Sequence, residues 1–187
     1  MAASVENGGE RWLRVLRIIG WGGAGLLLLA PLVAMQFTDE VDWTASDFVF
    51  AGLLLGGLGL ALELAVRRGR DWSHRIAAAI PPGLAFLTLW INGAVGVIGD
   101  ENEPANGLFL AVLAVALAGA LVARFRPAGM AWAMTAAAVA QAAVPLAAWG
   151  LGLAPTHLIG SPEVPAFTVV FTGLWLLSAG LFRKAAG

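Results

Sequence analysis

The chain consists of long apolar runs separated by short polar connections. Six runs, at about 17–37, 47–66, 76–98, 107–123, 129–149 and 166–182, approach or exceed the length of a membrane span. A spanning helix needs about 20 apolar residues, each rising about 1.5 Å. The runs are continuously apolar and show no period-two alternation, so they predict helices and not a barrel. The expected fold is therefore all-α, an integral membrane bundle of six transmembrane helices forming a single domain over 11–187. Residues 1–10 are polar and glycine-containing and read as a flexible cytoplasmic tail.

The charges between the runs give this bundle a direction. Arg11, Arg14 and Arg17 precede the first run, and Arg67, Arg68, Arg70 and Arg75 separate the second from the third. Arg124 and Arg126 separate the fourth from the fifth, and Arg183 and Lys184 follow the sixth, which accounts for all eleven basic residues. The alternate connections carry Asp39, Glu40, Asp42, Asp47, Asp100, Glu101, Glu103 and Glu163 and no base. Because Lys and Arg are retained on the cytoplasmic side, this pattern predicts that both termini face inward. The formal net charge of −1 thus averages an acidic outer face and a basic inner one.

Composition narrows the chemistry. Hydrophobic residues make up 59% and charged residues 12% of the chain, against about half and a quarter in a soluble domain. There is no Cys, so disulfides, thiolate metal sites and Cys nucleophiles drop out together. No basic cluster is of the kind that binds nucleic acid; the inner arginines are matched to anionic lipid headgroups. The first run has the basic flank of a signal peptide, but its length and the Leu32-Val33-Ala34 stretch, with no small residue at the −3 position, predict a retained span.

The connections at 67–75 and 124–128 on the inside, and at 38–46, 99–106 and 150–165 on the outside, are short, which predicts antiparallel neighbours. Pro31, Pro81-Pro82 and Pro145 fall in the three outward-running helices. The Pro81-Pro82-Gly83 step is the strongest break, read either as a packed kink or as a discontinuous helix lining a site. Gly20, Gly22, Gly23 and Gly25 in the first helix, and Gly52, Gly56, Gly57 and Gly59 in the second, predict close packing of those two helices. Trp12, Trp72 and Trp132 recur every 60 residues, consistent with three repeated helical hairpins.

Two segments carry a resemblance. Gln36-Phe37-Thr38-Asp39-Glu40-Val41-Asp42-Trp43-Thr44, continuing into Asp47-Phe48, and Trp90-Ile91-Asn92-Gly93-Ala94-Val95-Gly96, followed by Asn102-Glu103-Pro104-Ala105-Asn106, resemble signatures of a family of small bacterial multi-pass membrane proteins of unknown function. The resemblance implies a bacterial inner-membrane location and brings no activity. The hairpin layout is loosely similar to SPW-repeat membrane proteins; the Ser-Pro-Trp motif is absent, and Ala30-Pro31-Leu32 stands near its place.

Polar groups inside a membrane are costly, and each has a functional and a structural reading. Glu63 lies four residues before Arg67, as an ion pair or as a proton relay. Asn92 and Gln141 are interhelical glue or the lining of a polar path. On the outer face, Asp39, Glu40, Asp42, Asp100, Glu101, Glu103 and His157 would form an oxygen-rich cluster for a divalent cation if their loops converge, and otherwise simply mark the non-cytoplasmic side. Ser46 or Asp47 is placed to cap the second helix, and Asn106 the fourth.

His74 and His157 are the only histidines and fall on opposite sides, and no Ser-His pair, HExxH or phosphate loop appears. The expectation is therefore a non-enzymatic protein without a cofactor. The leading reading is a structural or accessory subunit, in contact with the lipid bilayer and with a second copy or a larger membrane complex. The alternative is a small cation or solute transporter with an acidic outer vestibule.

Overall fold

A computed structural model describes residues 2–69 and 71–187, with side chains from Arg14 onward except Leu16. Met1 and Arg70, and the side chains of Arg11 and Trp12, lie outside the described residues, and with them one Trp of the 60-residue series. Among the described residues seven α-helices follow one another: α1 (Ala2–Ala34), α2 (Ala45–Arg68), α3 (Trp72–Ala94), α4 (Gly107–Val122), α5 (Pro127–Gly150), the short α6 (Thr156–Ile159) and α7 (Glu163–Ala186). A single 3₁₀ turn, Pro104–Asn106, precedes α4, and no strand occurs among the described residues. Six of the helices, all but α6, are long and apolar enough to cross a membrane. The chain is thus all-helical and, by length and composition, a multi-pass membrane protein.

The expected single bundle divides into two compact units, Met1–Leu60 and Ala61–Gly187, with α2 running from the first into the second. Hydropathy fixes which segments are spans but not which of them pack, so this division is invisible in the run pattern. Element boundaries also move. α1 begins at Ala2, so residues 2–10 continue the helix where a flexible tail is expected. α3 occupies Trp72–Ala94, a turn earlier than the apolar run, because Asp71 caps it by accepting from the His74 amide at 2.8 Å.

In the first unit, the close approach of α1 and α2 falls at Gly59, where an added Cβ would lie 2.9 Å from the Trp21 ring. The GxxxG pair Gly52 and Gly56 is not that contact, since an added Cβ at either position meets no atom within 4 Å. At the start of α2, Asp47 accepts from the Thr44 amide and hydroxyl, both at 2.7 Å. This is the returning half of a capping box, while the Asp47 amide donates to the Thr44 carbonyl at 3.1 Å.

The second unit is organised around α5, which packs against α4 and α7, while α3 packs on α7. Short connections predict that α3 and α4 are close neighbours, yet they scarcely touch. Small residues set the tight α4–α5 contact: a Cβ added to Gly119 would lie 2.7 Å from the Ala133 Cβ, and one on Gly129 2.7 Å from the Ala123 Cβ. The core between the helices is capped by aromatic pairs, Phe109 edge-on to Phe167 at 5.1 Å and His74 edge-on to Phe182 at 5.8 Å. These pairs fix the register. The start of α3, the end of α4, the start of α5 and the end of α7 lie together, and Arg183 sits 5.9 Å over the Trp132 ring at that end. The basic connections of this unit therefore share one end, and the acidic 99–103 loop lies at the other.

That acidic loop is held by Asn106, which is 5% exposed. Its carboxamide oxygen accepts from the Val97 and Ile98 amides at 3.0 and 2.9 Å, and its nitrogen donates to the Ile98 and Asp100 carbonyls at 3.1 and 2.7 Å. Asn106 makes no side-chain cap to α4; its four hydrogen bonds go to the preceding loop, which carries Gly96 and Gly99 at φ +73° and +66°.

Candidate functional site

The intramembrane polar residues resolve into three different situations. Glu63 accepts from the Arg67 Nε at 2.7 Å, an i,i+4 pair at the end of α2. Asn92 is 8% exposed and donates to the Thr88 carbonyl of its own helix at 2.7 Å, leaving its side-chain oxygen buried and unpartnered. Gln141 is 1% exposed with its amide nitrogen likewise unpartnered. The hydroxyls of Thr168 and Thr172 and the indole N–H of Trp175 on α7 share that condition. Sequence reasoning passed over these three residues, because Thr and Trp inside an apolar run carry no charge to mark them.

The outer acids are distributed over separate connections. Asp39, Glu40 and Asp42 lie between α1 and α2. Asp100 accepts from the Asn102 amide at 2.9 Å and Glu101 from the Asn102 side chain at 3.1 Å, so both serve their own turn. Glu103 precedes the 3₁₀ turn, and His157 lies on α6. Among the described residues, no three His, Cys, Asp or Glu side chains are grouped to hold a metal ion.

The prolines of α3 line a cavity. Pro81 and Pro82 lack the amide donors that would bond the carbonyls of Ala77 and Ala78. The Ser178 hydroxyl, fully buried on α7, donates to the Ala77 carbonyl at 2.9 Å and replaces the first lost bond. Ala78, Pro81, Pro82 and Ala85 then form one wall of a cavity of about 640 Å³ that lies wholly within the second unit. Leu113, Ala116, Leu117 and Ala120 of α4 face it, with Met130 and Met134 of α5 and Trp175 and Phe182 of α7. The cavity fills the gap that the sparse α3–α4 contact leaves open.

Its polar groups gather at the basic end. Arg68 from the end of α2, His74 from the start of α3 and Arg126 from the α4–α5 turn all line it. The His74 Nδ1 is buried without a partner. The turn that brings Phe125 and Arg126 into this wall is strained, with Arg124 and Phe125 both left-handed at φ 49° and 56°. Each such residue costs of order 1 kcal/mol or more, and strain of this kind concentrates at functional sites.

The fold and cavity define a class: a multi-pass helical membrane protein with an apolar internal cavity whose mouth is basic. Comparison with protein-family models, with characterised proteins and with solved structures finds no match.

Proposed function

We propose that the chain is a structural or accessory subunit of a membrane assembly, set in a bacterial inner membrane with both termini on the cytoplasmic side. The uncovered glycines of α1 carry this reading: a Cβ added at Gly20, Gly22, Gly23 or Gly25 meets no atom within 4 Å, and Gly22 and Gly25 share one face at i,i+3 spacing. In lipid there is no hydrophobic drive between helices, and such small-residue faces earn their association through close backbone approach. A second copy or a partner helix is the occupant this face fits. The one-sided placement of Lys and Arg supports the orientation, and the two resembling segments support the bacterial membrane.

Crosslinking in native membranes and purification in mild detergent test the role. The expected result is a defined homo-oligomer or a stoichiometric larger partner, lost in Gly22→Leu and Gly25→Leu. A chain that remains monomeric and alone under both conditions sinks the reading.

A further inference from the structure

We infer that the cavity between α3 and α4 is a binding site for an anionic membrane lipid, whose headgroup meets Arg68, His74 and Arg126 and whose acyl chain runs inward towards Trp175. The inference rests on the membrane placement proposed above and not on the subunit role.

Charge is the first support. Arg68 and Arg126 converge on one mouth from two different connections, and among the described residues no carboxylate forms an ion pair with either. The nearest acid on α2, Glu63, is bonded to Arg67. On a helix, residues 61, 64, 65 and 68 share the face that lines the cavity, and 63 and 67 fall on the opposite one. Asp71 is committed to capping α3. The mouth is therefore net basic, and two arginines of this kind favour an anionic headgroup.

The interior is the second support. Beyond the mouth the wall is Ala, Leu, Met, Pro, Phe and Trp, a surface that fits hydrocarbon. The depth matches as well: from His74 to Ala85 the α3 wall rises about 16 Å, close to half of a hydrocarbon core of about 30 Å. A lipid entering at the basic end would stay within one leaflet.

Two buried unpartnered nitrogens, one of them the Trp175 indole donor, are the third support. Trp175 is 1% exposed, lines the cavity and has an indole N–H without an acceptor, and the His74 Nδ1 is buried and unpartnered. A buried donor without an acceptor is costly. The oxygens of a lipid ester or phosphate supply acceptors that the protein does not. A volume of about 640 Å³ lies within the range of ligand sites, about 300–1,000 Å³.

The experiment uses the full chain at one copy per lipid nanodisc in a phosphatidylcholine background, so the presence or loss of a neighbouring subunit does not move the result. Dibrominated phosphatidylglycerol or dibrominated phosphatidylcholine is titrated in, and the quenching of Trp175 is obtained as the difference between the wild-type chain and Trp175→Phe. The expected midpoint for the anionic lipid lies about ten-fold or more below that of the neutral one, and Arg68→Gln with Arg126→Gln removes the difference. Ala116→Leu, which fills the cavity without changing charge, is expected to abolish the high-affinity quenching. Equal curves for the two lipids in the wild type overturn the site, as does an unchanged midpoint in Ala116→Leu. Displacement by millimolar inorganic phosphate also overturns it, by assigning the mouth to a free anion. Should the arginine variant fail to fold, the wild-type comparison and Ala116→Leu still decide.

Discussion

The Ser178 hydroxyl of α7 donates to the Ala77 carbonyl of α3 at 2.9 Å, in place of the amide that Pro81 lacks. The two residues thus couple a helix break to the packing of its neighbour. Ser178→Ala should cost about 1 kcal/mol, the usual net worth of such a bond. Restoring the backbone donor with Pro81→Ala should cancel most of that cost. The check is a double-mutant cycle on unfolding in detergent; additive effects would show that the hydroxyl does not serve the carbonyl freed by Pro81.

Asn106 should behave as a staple for the loop and not as a helix cap. Its oxygen holds the Val97 and Ile98 amides and its nitrogen the Ile98 and Asp100 carbonyls. Asn106→Ala should release both amides to rapid hydrogen exchange and cost about 2 kcal/mol or more, since buried partners are left unsatisfied. Asn106→Asp keeps an acceptor, so the two amides should stay protected while the carbonyl bonds are lost. Equal exchange in the two variants would argue against this division of labour.

How much of this was legible in the sequence depends on the kind of interaction. The spans follow from hydropathy alone, because the cost of exposing polar backbone to lipid leaves helices as the solution for continuous apolar runs. The pairing of Glu63 with Arg67 was readable because i,i+4 neighbours are fixed by helix geometry. Pairings between distant segments were not. Nothing local marks Ser178 as the partner of Ala77, or places α3 on α7 instead of on α4. The Pro81-Pro82 step was identifiable as a break, but its consequence, a cavity joined by Arg68, His74 and Arg126, depends on two connections meeting in space. The grouping of outer acids also depended on convergence, and their separate turn-forming bonds are what the fold supplies.

The α4–α5 contact gives a steric prediction. An added Cβ at Gly119 would lie 2.7 Å from the Ala133 Cβ and 3.1 Å from its Cα, so neither neighbour can rotate away. Gly119→Ala should force the helices apart and destabilise by about 1–3 kcal/mol. Gly173→Ala on α7, where nothing lies within 4 Å, should be neutral or slightly stabilising because Ala is the better helix former. Thermal unfolding of the two variants side by side provides the measurement, and equal midpoints would contradict the close contact.

Orientation can be tested independently of any ligand. In the second unit the His74–Phe182 pair and the Arg183–Trp132 pair bring the start of α3, the start of α5 and the end of α7 together. If lysine and arginine are retained inside, that end is cytoplasmic, and the loops near Glu101 and Gly160 face outward. A reporter that is active only in the periplasm should be silent when fused after Gly187 and active when inserted at either loop. Because orientation follows the sum of bases near the span ends, changing Arg124 and Arg126 alone should not invert the chain, since Arg67, Arg68, Arg75, Arg183 and Lys184 still hold the same side. Activity at Gly187 in the wild-type chain would overturn the orientation while leaving the helical fold and its cavity intact.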